Sequence, residues 1–122
     1  MYAVEYYIKE VPTSARIKVY NGGIITPSSV IYEQDITSEL QTESWITHTI
    51  ADPIILDGSD LWIAVSFSHT GESRVMGCDG GPADPDGDWM FDTLDGEWDA
   101  LLNRTGGAVS INWNIRGKVR LN

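Results

Sequence analysis

The feature that most constrains this chain is residues 61–67, Leu-Trp-Ile-Ala-Val-Ser-Phe. Leu61, Ile63, Val65 and Phe67 fall on one side of an extended chain, and Trp62, Ala64 and Ser66 on the other. A period of two among β-branched and aromatic residues is the pattern of a half-buried strand. Such a strand needs neighbours to pair its backbone and a second layer to cover its apolar side. Upstream, residues 44–56 hold another apolar stretch, joined to the first by the turn cluster Asp57-Gly58-Ser59-Asp60.

The pattern recurs in short pieces along the chain. Residues 2–9 alternate Tyr2, Val4, Tyr6 and Ile8 against Ala3, Glu5, Tyr7 and Lys9. Residues 15–20 alternate Ala15, Ile17 and Val19 against Arg16, Lys18 and Tyr20, and Asn21-Gly22-Gly23 closes that strand with turn chemistry. Residues 26–29 read as a loop. Further strands are expected over residues 30–36, 45–50 and 54–56, with Pro53 marking a bulge or an edge because it has no ladder donor. Residues 69–87 read as a long loop. A hairpin is expected from residues 89–94 and 98–101 about Asp95-Gly96, and a last strand over 109–121.

No window places apolar residues at i, i+3, i+4 and i+7, although one helical turn fits within 37–43 or 100–103. About eight or nine short strands, with turn signals roughly every 8–12 residues, predict an all-β, antiparallel β-sandwich of jelly-roll type. The 122 residues suffice for a single domain with its own core.

Composition narrows the partners. Eighteen acids against eight bases give a net charge of −10, which repels phosphate backbones and anionic membrane surfaces. Nucleic-acid and membrane partners are therefore not expected. Cys78 is the one cysteine, so no internal disulfide can form, and with only His48 and His69 a Cys/His zinc cage is implausible. Met1 is followed by YAVEYYIKE, without the basic and apolar regions of a signal peptide. A strand placed directly after Met1 suits a module taken from a longer parent chain.

Five tryptophans in 122 residues are many, and phase sorts them. Trp113 shares its side with Ile111 and Ile115 and is expected in the core. Trp62 is out of phase with the main apolar row of its strand. Trp45 is out of phase with Ile46 and Ile50, which turns His48 inward and obliges it to find a hydrogen-bond partner. Trp89 opens a strand just after the acidic loop, and Trp98 follows a turn, where it reads as core or as a loop anchor. Aromatic rings on the outer side of a sheet suit a sugar ring, whose C–H face stacks on indole while polar groups satisfy its hydroxyl rim. Trp45, Trp62, Trp89 and, more weakly, Trp98 are the candidate platforms, with Asp79, Asp88, Asn112 and Asn114 as hydroxyl partners.

Eight carboxylates and no base lie between residues 79 and 99. Asp84, Asp86 and Asp88 alternate, so a turn could gather their oxygens around a structural Ca²⁺. The other reading is a solvated acidic loop. The pattern is not an EF-hand, since the sixth loop position is Trp89 rather than Gly. Paired carboxylates could also serve glycoside hydrolysis, but nothing in the sequence makes a pair converge, and there is no G-x-S-x-G nucleophile motif. No enzymatic activity is expected.

Three pieces in order carry a resemblance: residues 60–65 (DLWIAV), 77–82 (GCDGGP) and 112–116 (NWNIR). Together they resemble β-sandwich modules of secreted bacterial proteins, namely adhesin-like domains and the carbohydrate-binding modules appended to glycoside hydrolases such as endoglucanases. The resemblance spans most of the chain, from Ala15 to Val119. It implies a jelly-roll-like fold, an extracellular setting, a tethered catalytic domain in the parent chain and no chemistry of its own. The expected ligand is a β-glucan-type polysaccharide, cellulose-like or mixed-linkage, bound by a monomer. The alternative is an adhesin-like or structural module that contacts another protein.

Overall fold

Alternation decides where the side chains of a half-buried strand go, and in the computed structural model it is plain in residues 3–8, 14–21 and 44–49. The structure describes residues 1–23, 27–69 and 74–120. Its strands are β1 (Ala3–Ile8), β2 (Ser14–Asn21), β3 (Ser29–Asp35), β4 (Ser44–Thr49), β5 (Leu61–Ser68), β6 (Trp89–Asp92), β7 (Glu97–Ala100) and β8 (Ile115–Lys118). A 3₁₀ turn at Thr37–Glu39 and a single helical turn, α1 (Leu101–Arg104), occupy the two places where sequence admits one. All strand pairs are antiparallel, as expected of an all-β chain.

The chain divides into two compact units, one comprising Met1–Gly77 with the segment from Ile115 onward, the other Cys78–Asn114. The first holds two three-stranded sheets, ordered β4-β1-β8 and β3-β2-β5. β1 and β2 are the central strands, paired along both edges, so both can bury a full side without leaving backbone groups unpaired. Val4, Tyr6 and Ile8 of β1 and Ala15, Ile17 and Val19 of β2 are buried. With Ile36, Ile46, Ile50 and Val75 they form one hydrophobic cluster fed by both sheets. Leu61, Ile63, Val65 and Phe67 of β5 pack against it, and Trp62 lies on the other side of that strand.

β4 follows the same parity: Ile46 and His48 are buried while Trp45, Thr47 and Thr49 are exposed. His48, only 6% exposed, finds the partners that its inward position demands. Its Nδ1 lies 2.7 Å from Glu39 Oε2 and its Nε2 2.7 Å from the Tyr32 hydroxyl. A carboxylate can only accept, so Nδ1 carries the proton, and in the neutral ring Nε2 accepts the Tyr32 O–H. Burial first, then the Glu39 carboxylate, raise the pKa of the Tyr32 phenol, which keeps it a donor. Tyr6 Oη and Glu39 Oε1 are also buried and neither has a hydrogen-bond partner of good geometry. They still interact: after burial, the Glu39 carboxylate pushes the Tyr6 phenol well above its usual pKa.

Three expectations need correction. Residues 54–56 form no strand: Ile54 exchanges backbone hydrogen bonds with Met1, and Ile55 and Leu56 have no ladder partner among the described residues. The last strand is short: Ile115–Lys118 pairs with β1, and upstream of it only an isolated bridge joins Trp113 to Cys78. Trp113 itself is half-buried and outside the hydrophobic cluster. Parts of the expected loops at 26–29 and 69–87, namely Thr26 and residues 70–73, lie outside the described residues, as does Leu121 at the end of the expected last strand.

His48→Ala strands two part-buried polar partners, Tyr32 and Glu39, at once. It should cost about 1–3 kcal/mol in urea denaturation, whereas Thr47→Ala, one residue away on the exposed side, should stay within about 0.5 kcal/mol of wild type. Equal effects at the two positions would refute the inward network.

Candidate functional site

The second unit contains most of the candidate residues, and its chemistry differs from that of the first. Eight carboxylates against one base, Arg104, give it −7 of the chain's −10. Most of these acids are occupied with the backbone. Asp79 Oδ1 accepts from the amides of Gly81 and Asn112, both at 2.8 Å, and the Asn112 side-chain amide bonds both Asp79 oxygens. Asn112 also donates to the Pro82 carbonyl and accepts from the Asp84 amide at 2.7 Å. A Cβ at Gly87 would collide with the Asn112 side chain, so only glycine lets the chain pass there. At Gly81, φ is +76° and a Cβ would meet the Ser110 carbonyl, which again requires glycine.

Asp88 is 2% exposed, and its Oδ2 accepts from the Leu102 amide at 2.9 Å, which anchors the start of α1. Asp92, Asp95 and Asp99 accept from the amides of Leu94, Glu97 and Ala100. Arg104 donates to Asp95 Oδ2 and to the Glu97 carbonyl, both at 2.8 Å, and so ties α1 to the hairpin turn. Asp79 and Asp95 both have lowered pKa values, Asp79 first through the Gly81 amide and Asp95 first through Arg104. The anionic form is the one these bonds hold.

On this frame sits the β6–β7 hairpin. Trp89 pairs with Ala100 and Phe91 with Trp98, so all four side chains share one side of the hairpin. The Phe91 and Trp98 rings are 5.5 Å apart at 58°, and Phe91 is 46% exposed. Trp89 is half-buried, and its carbonyl accepts the Trp113 indole N–H at 3.1 Å, which makes Trp113 an anchor for the strand. Beside the Trp89–Ala100 rung lies a depression of about 340 Å³, lined by Ala83, Asp84, Pro85, Asp86, Asp88, Trp89, Ala100 and Leu102. Its surface is mostly apolar. The carboxylates of Asp84 and Asp86 stand exposed at the rim, without side-chain partners among the described residues.

The structure thus brings together Trp89, Trp98, Asp84, Asp86 and Asp88, and adds Phe91, which the sequence reading passed over. The alternation of 89 with 91 and of 98 with 100 about the Asp95-Gly96 turn was the signal for it. Asp79 and Asn112 brace the loops behind this face. Asn114 is half-buried at the end of the unit. Trp45 and Trp62 lie elsewhere, on the outer sides of two different sheets. Trp45 is 45% exposed, with the Arg116 guanidinium 4.1 Å from its ring centroid and Tyr7 packed edge-on at 5.8 Å. Trp62 stands opposite Tyr20 and donates its indole N–H to the Gly23 carbonyl at 3.3 Å.

Among the described residues no three His, Cys, Asp or Glu side chains are placed to hold a metal ion, and Asp88 turns its oxygen to the Leu102 amide. No protein-family model, curated protein or solved structure matches the chain.

The lowered pKa of Asp79 has a consequence for stability. Its contribution is fully present above the usual carboxylate value near 3.8 and is lost as pH falls through the lower folded-state value. The stability gap between wild type and Asp79→Asn, measured by urea denaturation, should be widest near neutral pH and close in strong acid. A gap independent of pH would refute the proposed role of the anion.

Proposed function

We propose that this chain is a non-catalytic, β-sandwich-type binding module that holds a β-glucan-type polysaccharide, cellulose-like or mixed-linkage, on the aromatic side of the β6–β7 hairpin. The observation that carries this reading is the gathering of Trp89, Phe91 and Trp98 on one side of two paired strands, continuous with an apolar depression. Such a surface offers successive flat apolar faces to a row of pyranose rings, while rim carboxylates accept hydroxyl protons. The platform is preorganised, because Trp113, Asp88 and Arg104 fix the hairpin without help from a ligand.

A binding role fits the carboxylates better than a catalytic one. Asp79, Asp88, Asp92, Asp95 and Asp99 are committed to backbone amides. The resemblance to modules appended to glycoside hydrolases supports this reading, in which the module belongs to a secreted parent chain and holds its catalytic domain near substrate. Affinity on so open a surface is modest and built from subsites. A second reading, an adhesin-like module contacting another protein, draws support from the first unit. There Ile55 is 90% exposed beside a groove of about 420 Å³ lined by Met1, Tyr2, Ile54, Leu56 and Arg120.

Affinity electrophoresis through gels containing soluble β-glucan tests the proposal. Wild type should be retarded. Phe91→Ala and Trp98→Ala should each weaken binding by on the order of tenfold, while Trp45→Ala and Trp62→Ala should migrate as wild type. Retardation lost in the Trp45 or Trp62 variants alone would move the site to the sheets. Unchanged migration of wild type on every polysaccharide would favour the protein-contact reading.

A further inference from the structure

The Trp89 depression combines two properties that a neutral glucan would use only in part, since its hydroxyls carry no charge to meet the carboxylates. Its floor is apolar and aromatic, from Trp89, Ala100, Pro85 and Leu102, and its rim carries the exposed carboxylates of Asp84 and Asp86. The one base of the unit cannot neutralise that rim, because Arg104 is bound to Asp95 and to the Glu97 carbonyl. The other acids of the unit add to the same sign of field. A hydroxyl would take only a hydrogen bond from such a rim. A protonated amine would take a charge-assisted bond, and against the indole face it would gain a cation–π contact as well.

We infer that the sugar preferred by this site carries a free amine: a β-linked polymer of glucosamine type, whose ring stacks on Trp89 while its ammonium group meets Asp84 and Asp86. This rests on the polysaccharide reading given above and names the substrate class within it. Anionic sugars, uronates and sulfated chains, are disfavoured by the same field. Acetylating the amine removes the charge, so the acetylated polymer should rank with neutral glucan.

Asp84 and Asp86 are exposed, which makes them open to substitution without loss of fold. Asp86 has φ +67°, and asparagine tolerates that left-handed backbone as well as aspartate does. Asp84→Asn/Asp86→Asn therefore tests charge alone. The experiment is calorimetric titration of the full chain with β-linked glucosamine, N-acetylglucosamine and glucose oligomers of equal length, at mildly acidic pH and at low and high salt. The glucosamine oligomer should bind at least about tenfold more tightly than the other two at low salt, and the advantage should shrink severalfold at high salt. In the double variant the advantage should disappear, leaving the glucosamine oligomer level with the glucose and N-acetylglucosamine oligomers. Equal affinity for all three oligomers, or an advantage that survives the double variant or high salt, overturns the inference and leaves the polysaccharide reading standing. Binding of none of the three overturns both.

Discussion

The first unit depends on the burial of one side of two central strands. β1 and β2 are each paired on both edges, so their amides and carbonyls are satisfied within the sheets and their apolar sides can leave water completely. That constraint fixes everything hung on them. The register of β4, β8, β3 and β5 follows, because a slip of one residue would turn an apolar row outward and a polar one inward. The outward positions of Trp45 and Trp62 are consequences of this parity and not independent features. Parity also separates them: each is on the outer side of its own sheet, so they cannot serve as neighbouring rungs of one stacking row.

The second unit is held by different forces. Its loops are stitched by carboxylates that accept backbone amides. Bonds to a charged acceptor are roughly twice as strong as neutral ones, so a few such caps can replace a core in a segment of this size. Repulsion at Asp79, Asp88, Asp92, Asp95 and Asp99 is offset locally by the amides they accept, and at Asp95 by Arg104 as well. An isolated two-stranded hairpin is marginal in water, and these bonds are what give β6 and β7 a fixed frame.

How much of this was legible follows from range. Strand parity is local, and the alternation in residues 2–8, 15–20, 45–50 and 61–67 was enough to place the inward and outward sides. The need of His48 for a partner was equally legible, but not that Tyr32 and Glu39 supply it, since that depends on where β3 and the 3₁₀ turn come to lie. Ile54 to Leu56 carry strand propensity, yet a strand also needs a neighbour, and among the described residues only Ile54 has one, in Met1. The alternation of Asp84, Asp86 and Asp88 looked like a ligand set for the same reason: composition shows what a residue can bind and not what it already binds. Asp88 is buried against Leu102, a pairing that no spacing rule reveals.

The contrast between the two units bears on where a ligand would go. Rigid aromatic surface is useful for binding only if its orientation does not have to be set by the ligand. Trp45 is already engaged by Arg116 and Tyr7, and a ligand approaching its face from the guanidinium side would first have to displace that contact. On the hairpin the bonds that fix the backbone run to the Leu102 amide, the Glu97 carbonyl and the Trp89 carbonyl, and none of the three uses an aromatic face. A surface whose backbone is already fixed can meet a flat, hydroxyl-rimmed ring with little loss of its own entropy. That bracing, more than the number of tryptophans, is what favours the hairpin as the site.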